Sequence, residues 1–301
     1  RYLWFLAAVL SIKAMVFLVK TDTMDGNNLF KEAFTIRTNF HSHTTRCQHA
    51  TGSDESYVTS AIAAGYAQLG FSDHGPWPYG NGFESGIRMR LDEFPAYLAS
   101  ARKLRVKYKG QIQMFIGLES EYYPAYSAWL SEQKEAQGLD FLILGSHYDR
   151  PDEELYFGGI TQAHQLYRYA RHTILGLRSG LYCCLAHPDL FMMNYPEFDE
   201  DCATISRDIA QAARDLNIPL EYNLSGLYPQ SWRRGEGYPA RSFWEIAARE
   251  GASAIIGLDA HDPGRYADTP LYDRAVRDLD ALGIQRVESL IPCRREKRLA
   301  V

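Results

Sequence analysis

Short apolar segments alternate with longer amphipathic ones along most of the chain, from about residue 34 onward. Seven of the apolar segments have the length of a β-strand, and most of them are nearly continuous in apolar residues, which is typical of strands buried on both faces. In chain order they are FTIRTNF, AQLGFSD, QMFIGLE, FLILGSH, CCLAHPD, PLEYNLS and AIIGLDA. Strands that alternate with helices predict an α/β fold with a parallel sheet, most economically closed as a barrel.

The segments between these strands carry helix signals. SDESYVTSAIAAGY begins with Ser53, a typical N-cap, and has acidic residues in its first turn. DEFPAYLASARKLRVKYKG and YPARSFWEIAAREG both end on a glycine, as many helices do. DEDCATISRDIAQAARDLN spaces its apolar residues by three and four. Because no linker or low-complexity tract interrupts the pattern, we expect one barrel domain over residues 34–290.

Residues 1–30 form an apolar extension that does not fit this pattern. Within it, YLWFLAAVLSIKAMVFLV is charged only at Lys13, and its length is borderline against the ~20 residues that span a membrane. The segment that follows offers no small-residue cleavage site of the kind that ends a signal peptide. Two interpretations stay open: a dispensable extension, or a real anchor or packed helix. We expect contact with a membrane only if the segment is an anchor.

Charge and cysteine content narrow the class of protein. The net charge of −5 argues against a general nucleic-acid binder, because phosphate backbones select basic surfaces. The five cysteines contain no C-x-x-C pair, so they indicate neither a disulfide framework nor a cysteine zinc site. We interpret the adjacent Cys183 and Cys184 as core residues. This usage fits a reducing compartment and a cytoplasmic location. The oligomeric state is not predicted.

Residues with metal-binding side chains gather at the carboxyl-terminal ends of the predicted strands. In a parallel α/β barrel these ends form one face, on which active sites are built. Seven of the nine histidines and two carboxylates lie there or in the loop just beyond. They are His41, His43, His49, His74, Glu119, His147, His187, Asp259 and His261.

These side chains predict a metal centre. Imidazole and carboxylate are the usual ligands of zinc, manganese and iron, so the residues do not identify the metal. His41 and His43 are two positions apart, which places both side chains on the same face of a strand. Asp259 and His261 have the same spacing. One such histidine alone is more often a hydrogen-bonded core residue, but seven histidines at one face of a barrel favour a metal site.

The motifs around these residues resemble one known family, the histidinol-phosphate phosphatases of the polymerase-and-histidinol-phosphatase (PHP) superfamily. The resemblance runs from about residue 39 to residue 263 and implies a distorted (β/α)7 barrel with three divalent metal ions. It also implies hydrolysis of L-histidinol phosphate, a small phosphorylated metabolite, in histidine biosynthesis. The motifs are HSHTTRCQH, GFSDHGPWP, GLESEYYPAY, LDFLILGSHYD, LAHPDLF, LEYNLSGL and IIGLDAHDP.

The same resemblance assigns the nine candidate ligands to three ions. For the first ion it implies His41, His43, Glu119 and Asp259. For the second it implies Glu119, as a bridge from the first, with His147 and His187. For the third it implies His49, His74 and His261. All nine positions carry a residue able to bind a metal, so we expect an intact site.

Substrate contacts are expected from arginines. Tyr228 stands where many relatives carry an arginine, and Arg233 and Arg234 follow in what reads as a longer loop. Either could bind phosphate through its forked guanidinium, or both could be solvated loop charges. Arg88, in SGIRMRLDEF, matches an arginine expected in this family and is a further candidate for phosphate contact.

The expected reaction is attack on phosphorus by a metal-activated hydroxide. Metal ions lower the pKa of bound water towards neutrality and neutralise the charge on the phosphoryl oxygens. The sequence therefore needs no serine or cysteine nucleophile. Asp73, Glu121 or a metal-bound water would supply the general acid. Asp73 and Glu121 could instead orient metal ligands.

Three alternative functions stay open. An amidohydrolase also begins with H-x-H on its first strand, but it usually bridges its metals with a lysine, where this chain has Glu119. Other PHP proteins cleave another phosphomonoester, a phosphodiester or a nucleic acid, and the acidic net charge argues against a nucleic acid. A non-catalytic metal-binding barrel is the third alternative, and metal-dependent turnover would exclude it.

Overall fold

The computed structural model describes residues 36–228 and 235–290. The predicted extension over residues 1–30, the start of the predicted domain and the candidates Arg233 and Arg234 lie outside the described residues. Within the two described ranges, no helix is both long and apolar enough to cross a membrane.

Each of the seven predicted segments contains a β-strand. The strands pair in chain order, and every pairing is parallel. This confirms the predicted parallel sheet. The strands are β1 (Arg37–Asn39), β2 (Tyr66–Phe71), β3 (Gln113–Ser120), β4 (Phe141–Leu144), β5 (Cys184–Leu185), β6 (Leu220–Asn223) and β7 (Ala254–Gly257).

One α-helix follows each strand, so the described residues form a (β/α)7 unit. The predicted N-cap is confirmed for the first helix, because the Ser53 side chain accepts a hydrogen bond from Ser56 N. The helices are α1 (Asp54–Ala63), α2 (Phe94–Lys107), α3 (Ser127–Ala136), α4 (Ala163–Arg178), α5 (Glu200–Asp215), α6 (Arg241–Arg249) and α7 (Thr269–Leu282).

The two ends of the sheet meet just beyond β1 and β7. Ser42 and Ala260 form a parallel bridge. Around it, His43 N donates to Ala260 O at 3.0 Å and Ala260 N donates to His41 O at 3.1 Å. The barrel is therefore nearly closed, as expected for a distorted (β/α)7 barrel, and this closing contact lies among the candidate metal ligands.

Side-chain alternation along the strands separates the barrel interior from the layer beneath the helices. On β4, Phe141 and Ile143 belong to a small inner cluster, whereas Leu142 and Leu144 belong to the large core between strands and helices. Because strand side chains alternate with period two, the same rule places Glu221 and Asn223 of β6 on the inner side. The interior is apolar at its base and polar towards the carboxyl-terminal strand ends.

The cysteines only partly follow the prediction. Cys47, Cys184 and Cys202 are free and buried. Cys183 and Cys184 both pack in the inner cluster of the barrel, as predicted. Cys183 is also disulfide-bonded, so the expectation that the cysteines indicate no disulfide is wrong at this position.

Candidate metal centre

The carboxyl-terminal strand ends bring all nine predicted ligands to one region. Six of the nine side chains are buried, Asp259 and His261 are partly exposed, and His49 is exposed. The site is thus open on the side of His49 and His261 and closed beneath. The six buried residues are His41, His43, His74, Glu119, His147 and His187.

The residues predicted for the first ion have their free atoms pointing at one another. His41 Nε2 lies 3.2 Å from Glu119 Oε2 and 3.5 Å from Asp259 Oδ1. His43 Nε2 lies 3.1 Å from Asp259 Oδ1 and 3.6 Å from Glu119 Oε2. Two imidazole nitrogens and two carboxylate oxygens therefore converge, which is a donor set that suits a divalent transition metal.

The two oxygens of Glu119 face different groups of histidines. Oε2 faces His41 and His43, and it also lies 3.0 Å from His74 Nδ1. Oε1 lies 3.0 Å from His187 Nε2 and 3.3 Å from His147 Nε2. This arrangement fits a carboxylate that bridges two ions.

The three histidines predicted for the third ion lie together at the open side. The ring centroids of His49 and His261 are 4.5 Å apart, and those of His49 and His74 are 5.4 Å apart. His49 Nδ1 lies 2.7 Å from Cys47 O, and His261 Nδ1 lies 3.1 Å from Asp259 O. A backbone carbonyl can only accept, so each Nδ1 donates and each Nε2 is left as the possible ligand atom.

Local backbone conformation places several of these ligands. A single 3-10 turn at Thr45–Cys47 follows His43, and Gln48 has a left-handed φ of 70°. This reversal returns His49 towards His43, whose ring centroid is 6.4 Å away. His187 and Asp259 also have positive φ values, 28° and 47°. Non-glycine residues adopt such values at an energetic cost, most often at functional sites.

Many side-chain nitrogen and oxygen atoms of the candidate ligands have no hydrogen-bond partner among the described residues, although the atoms are buried. Buried polar atoms without partners are rare in proteins, and metal binding is one of the roles that account for them. The donor set therefore fits divalent metal ions. The atoms are His41 Nε2, His43 Nδ1 and Nε2, His74 Nδ1, Glu119 Oε2, His187 Nδ1 and His261 Nε2.

The electrostatics of the site also favour cations. Burial alone would raise the pKa of Glu119, but the imidazoles of His41, His147 and His74 hold it well below its usual range. Burial alone would lower the pKa of His41, but nearby carboxylates, first of all Glu221, raise it well above its usual value. Both shifts reflect buried carboxylates and imidazoles that compensate each other's charge, and bound metal ions would also compensate the carboxylates.

A match to a protein-family model shows the family of this chain. The model of the PHP domain matches residues 39–225, a span that covers more than half of the chain and includes seven of the nine ligand candidates. This chain belongs to the PHP family. The predicted family resemblance is confirmed.

Curated relatives of this PHP chain carry related names. One from Deinococcus radiodurans, named "Probable histidinol-phosphatase", is 30% identical to it and covers 76% of this chain and 89% of its own length. One from Bacillus subtilis, named "Histidinol-phosphatase", is 22% identical and covers 74% of this chain and 93% of its own length.

A solved structure shares the fold of this PHP chain. It is histidinol phosphate phosphatase from Lactococcus lactis, complexed with zinc, L-histidinol and phosphate. It aligns with a TM-score of 0.67 at 18% identity, covering 84% of this chain and 95% of its own. The likeness supports the (β/α)7 barrel that the strand order shows.

Two residues predicted as general acids instead contact ligands in the PHP site. Asp73 is fully buried, accepts a hydrogen bond from Thr44 Oγ1 and lies 3.4 Å from His43 Nδ1. Glu121 is also fully buried, and its Oε1 lies 3.1 Å from His147 Nδ1. These contacts favour the alternative prediction, in which both carboxylates orient metal-binding histidines.

The pKa of Glu121 is set by its buried partners. Burial alone would raise this pKa, but Arg88, followed by His147, holds it far below its usual range. An ionised Glu121 suits the role of an acceptor for Arg88 and His147 better than the role of a proton donor. The role of Glu121 as a general acid stays a prediction.

The Arg88 guanidinium is buried and paired with two carboxylates. The side chain is 1% exposed. Its two terminal nitrogens donate to Glu121 at 2.9 and 3.0 Å, and Nε donates to Glu153 at 3.3 Å. The expected phosphate contact by Arg88 stays a prediction, and in this structure the guanidinium is paired with Glu121 and Glu153. Arg88 instead anchors Glu121, which in turn contacts His147.

Tyr228, the position without the expected arginine, has an arginine beside it. The guanidinium carbon of Arg265 lies 3.5 Å from the centre of the Tyr228 ring, and the Tyr228 hydroxyl donates to Asp268 at 3.0 Å. Arg265 follows His261 by four positions. Tyr228 therefore packs against the loop after β7 that carries two of the predicted ligands.

Sequence reasoning missed two buried residues of the site. Glu221 of β6 lies 2.8 Å from His41 Nδ1 through its Oε1. The Cys47 sulfur lies within 4.8 Å of ligand atoms of His49 and His261, close enough to share a metal ion. Glu221 lies two positions before Asn223, at the end of the predicted strand PLEYNLS, so alternation along β6 could have placed both side chains on one face. Cys47 carries no comparable signal.

Proposed function

We propose that this PHP chain is a metal-dependent phosphomonoester hydrolase that converts L-histidinol phosphate and water to L-histidinol and phosphate. The observation that carries the proposal is the bridging geometry of Glu119, whose two oxygens face separate groups of histidines. The names of the relatives from Deinococcus radiodurans and Bacillus subtilis support the substrate. Such a reaction belongs to histidine biosynthesis.

The proposed site takes three divalent ions, assigned as the family resemblance implies. The first is held by His41, His43, Glu119 and Asp259. The second is held by Glu119, His147 and His187. The third is held by His49, His74 and His261. Zinc, manganese and iron all suit these ligands.

The chemistry divides between the ions and the protein. When bound, the ions would activate water for attack on phosphorus and neutralise the phosphoryl oxygens. The protein holds the ligands in place through buried carboxylates, with Asp73 against His43 and Glu121 against His147. Because Asp73 and Glu121 are fully buried, neither is placed to protonate a leaving alkoxide. Water at the open side of the site remains as the proton source.

The second candidate function, cleavage of a phosphodiester, uses the same ligands. A monoester dianion has more unesterified oxygens than a diester and so gains more from several cations. The acidic net charge of −5 further disfavours a nucleic-acid substrate.

The expected cytoplasmic location stays a prediction.

A turnover screen tests the proposal. Metal-reconstituted protein is assayed with L-histidinol phosphate, a panel of other phosphomonoesters, and bis-p-nitrophenyl phosphate. We expect the highest kcat/KM for L-histidinol phosphate and far slower cleavage of the diester. Glu250→Gln, which changes a carboxylate next to Arg214, is a matched control and should retain full activity. Preference for another monoester would overturn the substrate, and preference for the diester would overturn the reaction class.

A further inference from the structure

Glu221 is a buried carboxylate at a position where a barrel interior would otherwise be apolar. It occupies the second position of β6 and is 1% exposed. Its strand neighbour in register on β7 is Ile255, which packs in the inner apolar cluster. A charge buried at such a level is costly unless it is hydrogen-bonded and compensated. The side chain therefore requires a set of donors around it.

Three donors surround the Glu221 carboxylate. His41 Nδ1 lies 2.8 Å from Oε1. The backbone N–H of His187 and the side-chain amide of Asn223 donate to Oε2 at 3.1 and 2.7 Å. The Asn223 amide nitrogen also lies 3.3 Å from Asp259 Oδ2. One carboxylate thus contacts two proposed metal ligands directly and a third through Asn223.

The contact with His41 sets the tautomer of that ring. An ionised carboxylate can only accept, so the proton of neutral His41 lies on Nδ1. The lone pair is then left on Nε2, the atom that faces Glu119 and Asp259. Partners of this kind fix both the tautomer and the orientation of a metal-binding histidine.

The contact with His187 fixes a strained segment of backbone. His187 has a φ of 28°, which a non-glycine residue rarely adopts. Its N–H is the group that Glu221 Oε2 accepts from. Holding this amide keeps the imidazole of His187 directed at Glu119 Oε1, 3.0 Å away.

The neighbouring strand leaves space for this carboxylate. Gly257 of β7 is paired with Asn223 in the sheet register. A Cβ atom at Gly257 would lie 1.8 Å from Glu221 Oε1, well inside van der Waals contact. Any other residue at position 257 would therefore displace the Glu221 side chain, the backbone or both.

We propose that Glu221 is a positioning residue that couples two of the metal sites, by holding His41 for the first ion and His187 for the second. The inference rests on the proposed function, because it takes those two ions as the ones to be held. It assigns no such role for the third ion, whose ligands His49, His74 and His261 make no hydrogen bond with Glu221 among the described residues.

The test measures metal retention in Glu221→Gln. Glutamine offers one acceptor oxygen and one donor amide to three surrounding donors, so at least one donor must face the amide. We expect the first and second ions to be removed by a competing chelator at concentrations about 10- to 100-fold lower than in wild type. The third ion should be retained as in wild type. Glu250→Gln is the matched control and should retain all ions normally.

A second variant keeps the test decisive if Glu221→Gln does not fold. Gly257→Ala retains the carboxylate but forces it to move, so it should lose the same two ions preferentially. Circular dichroism of each metal-free variant checks that the barrel is intact. Normal retention of all ions in a folded variant, or equal loss of all three, would overturn the proposal.

The tautomer gives a readout that needs no turnover. In ¹⁵N-labelled protein loaded with zinc, the His41 ring should carry its proton on Nδ1 and leave Nε2 to the metal, and Glu221→Gln should shift this population. A wild-type His41 that carries its proton on Nε2 would overturn the proposal. A wild-type protein that retains its ions but does not hydrolyse L-histidinol phosphate would overturn the proposed function and leave this inference standing.

Discussion

Replacing Arg88 by methionine distinguishes a role in holding Glu121 from a role in contacting the substrate phosphate. Methionine keeps much of the apolar stem of the side chain but removes every donor. Glu121, which is fully buried, would then lose two charge-assisted hydrogen bonds, of 2.9 and 3.0 Å. Breaking a buried ion pair from one side typically costs about 3–5 kcal/mol. We expect the free energy of unfolding to fall by that amount.

The assay is urea unfolding of the metal-free protein, followed by circular dichroism, so that metal binding does not contribute. Arg90→Met is the matched control. Arg90 lies two positions away, pairs with Asp92 and is 58% exposed, so its replacement should leave the unfolding curve unchanged. The double variant Arg88→Met/Glu121→Leu should recover part of the loss, because it removes the stranded charge.

The same variant has a second expected effect. Since Glu121 contacts His147 Nδ1 at 3.1 Å, loss of Arg88 should weaken retention of the second ion. If instead unfolding and metal retention were unchanged and only KM for the phosphate ester rose, Arg88 would be a substrate contact. That result would refute the positioning role that the burial of Arg88 and its pairing with Glu121 indicate.

Further predictions concern the metal ligands and a helix cap. Glu119→Gln should disturb two ions, because Glu119 faces both groups of histidines, whereas His261→Asn should remove mainly the third; equal losses in elemental analysis would contradict the assignment. Asp199→Ala should lower the free energy of unfolding by about 0.5–2 kcal/mol without changing metal content, because Asp199 caps α5 by accepting from Cys202 N at 2.9 Å. Burial opposes ionisation of Asp199, but the hydrogen bond from the Cys202 N–H lowers its pKa. The stabilisation by the Asp199 cap should therefore be fully present above the unfolded pKa of about 3.9 and disappear as the pH falls through the lower folded pKa. Urea unfolding at a series of pH values measures this change.

The fold could be predicted because strands that are buried on both faces are nearly continuous runs of apolar residues in the sequence. The segment FLILGSH contains β4 and ends at His147, and AIIGLDA contains β7 and ends beside Asp259. Except for β3, which extends to Ser120, the strands are shorter than the apolar segments. In CCLAHPD only Cys184–Leu185 pairs as a strand, and His187, two residues later, already has a positive φ.

The metal ligands could be predicted because their positions at the strand ends are visible in the sequence. The buried contacts behind those ligands could not. Histidines at strand ends must share a face, so His147 and His187 could be placed without a structure. Arg88 and Glu121 lie in segments that read as loops, and nothing in their spacing indicates that they form a buried pair with each other. Glu221 lies within an apolar segment, and only the inward direction of its side chain connects it with His41.

The metal content of the purified protein tests the central claim most directly. Nine ligands at one face of the barrel exceed what one or two ions of usual coordination need. After metal loading and removal of loosely bound ions, elemental analysis should give close to three divalent transition-metal ions per chain. A consistent value near one would contradict the trinuclear site.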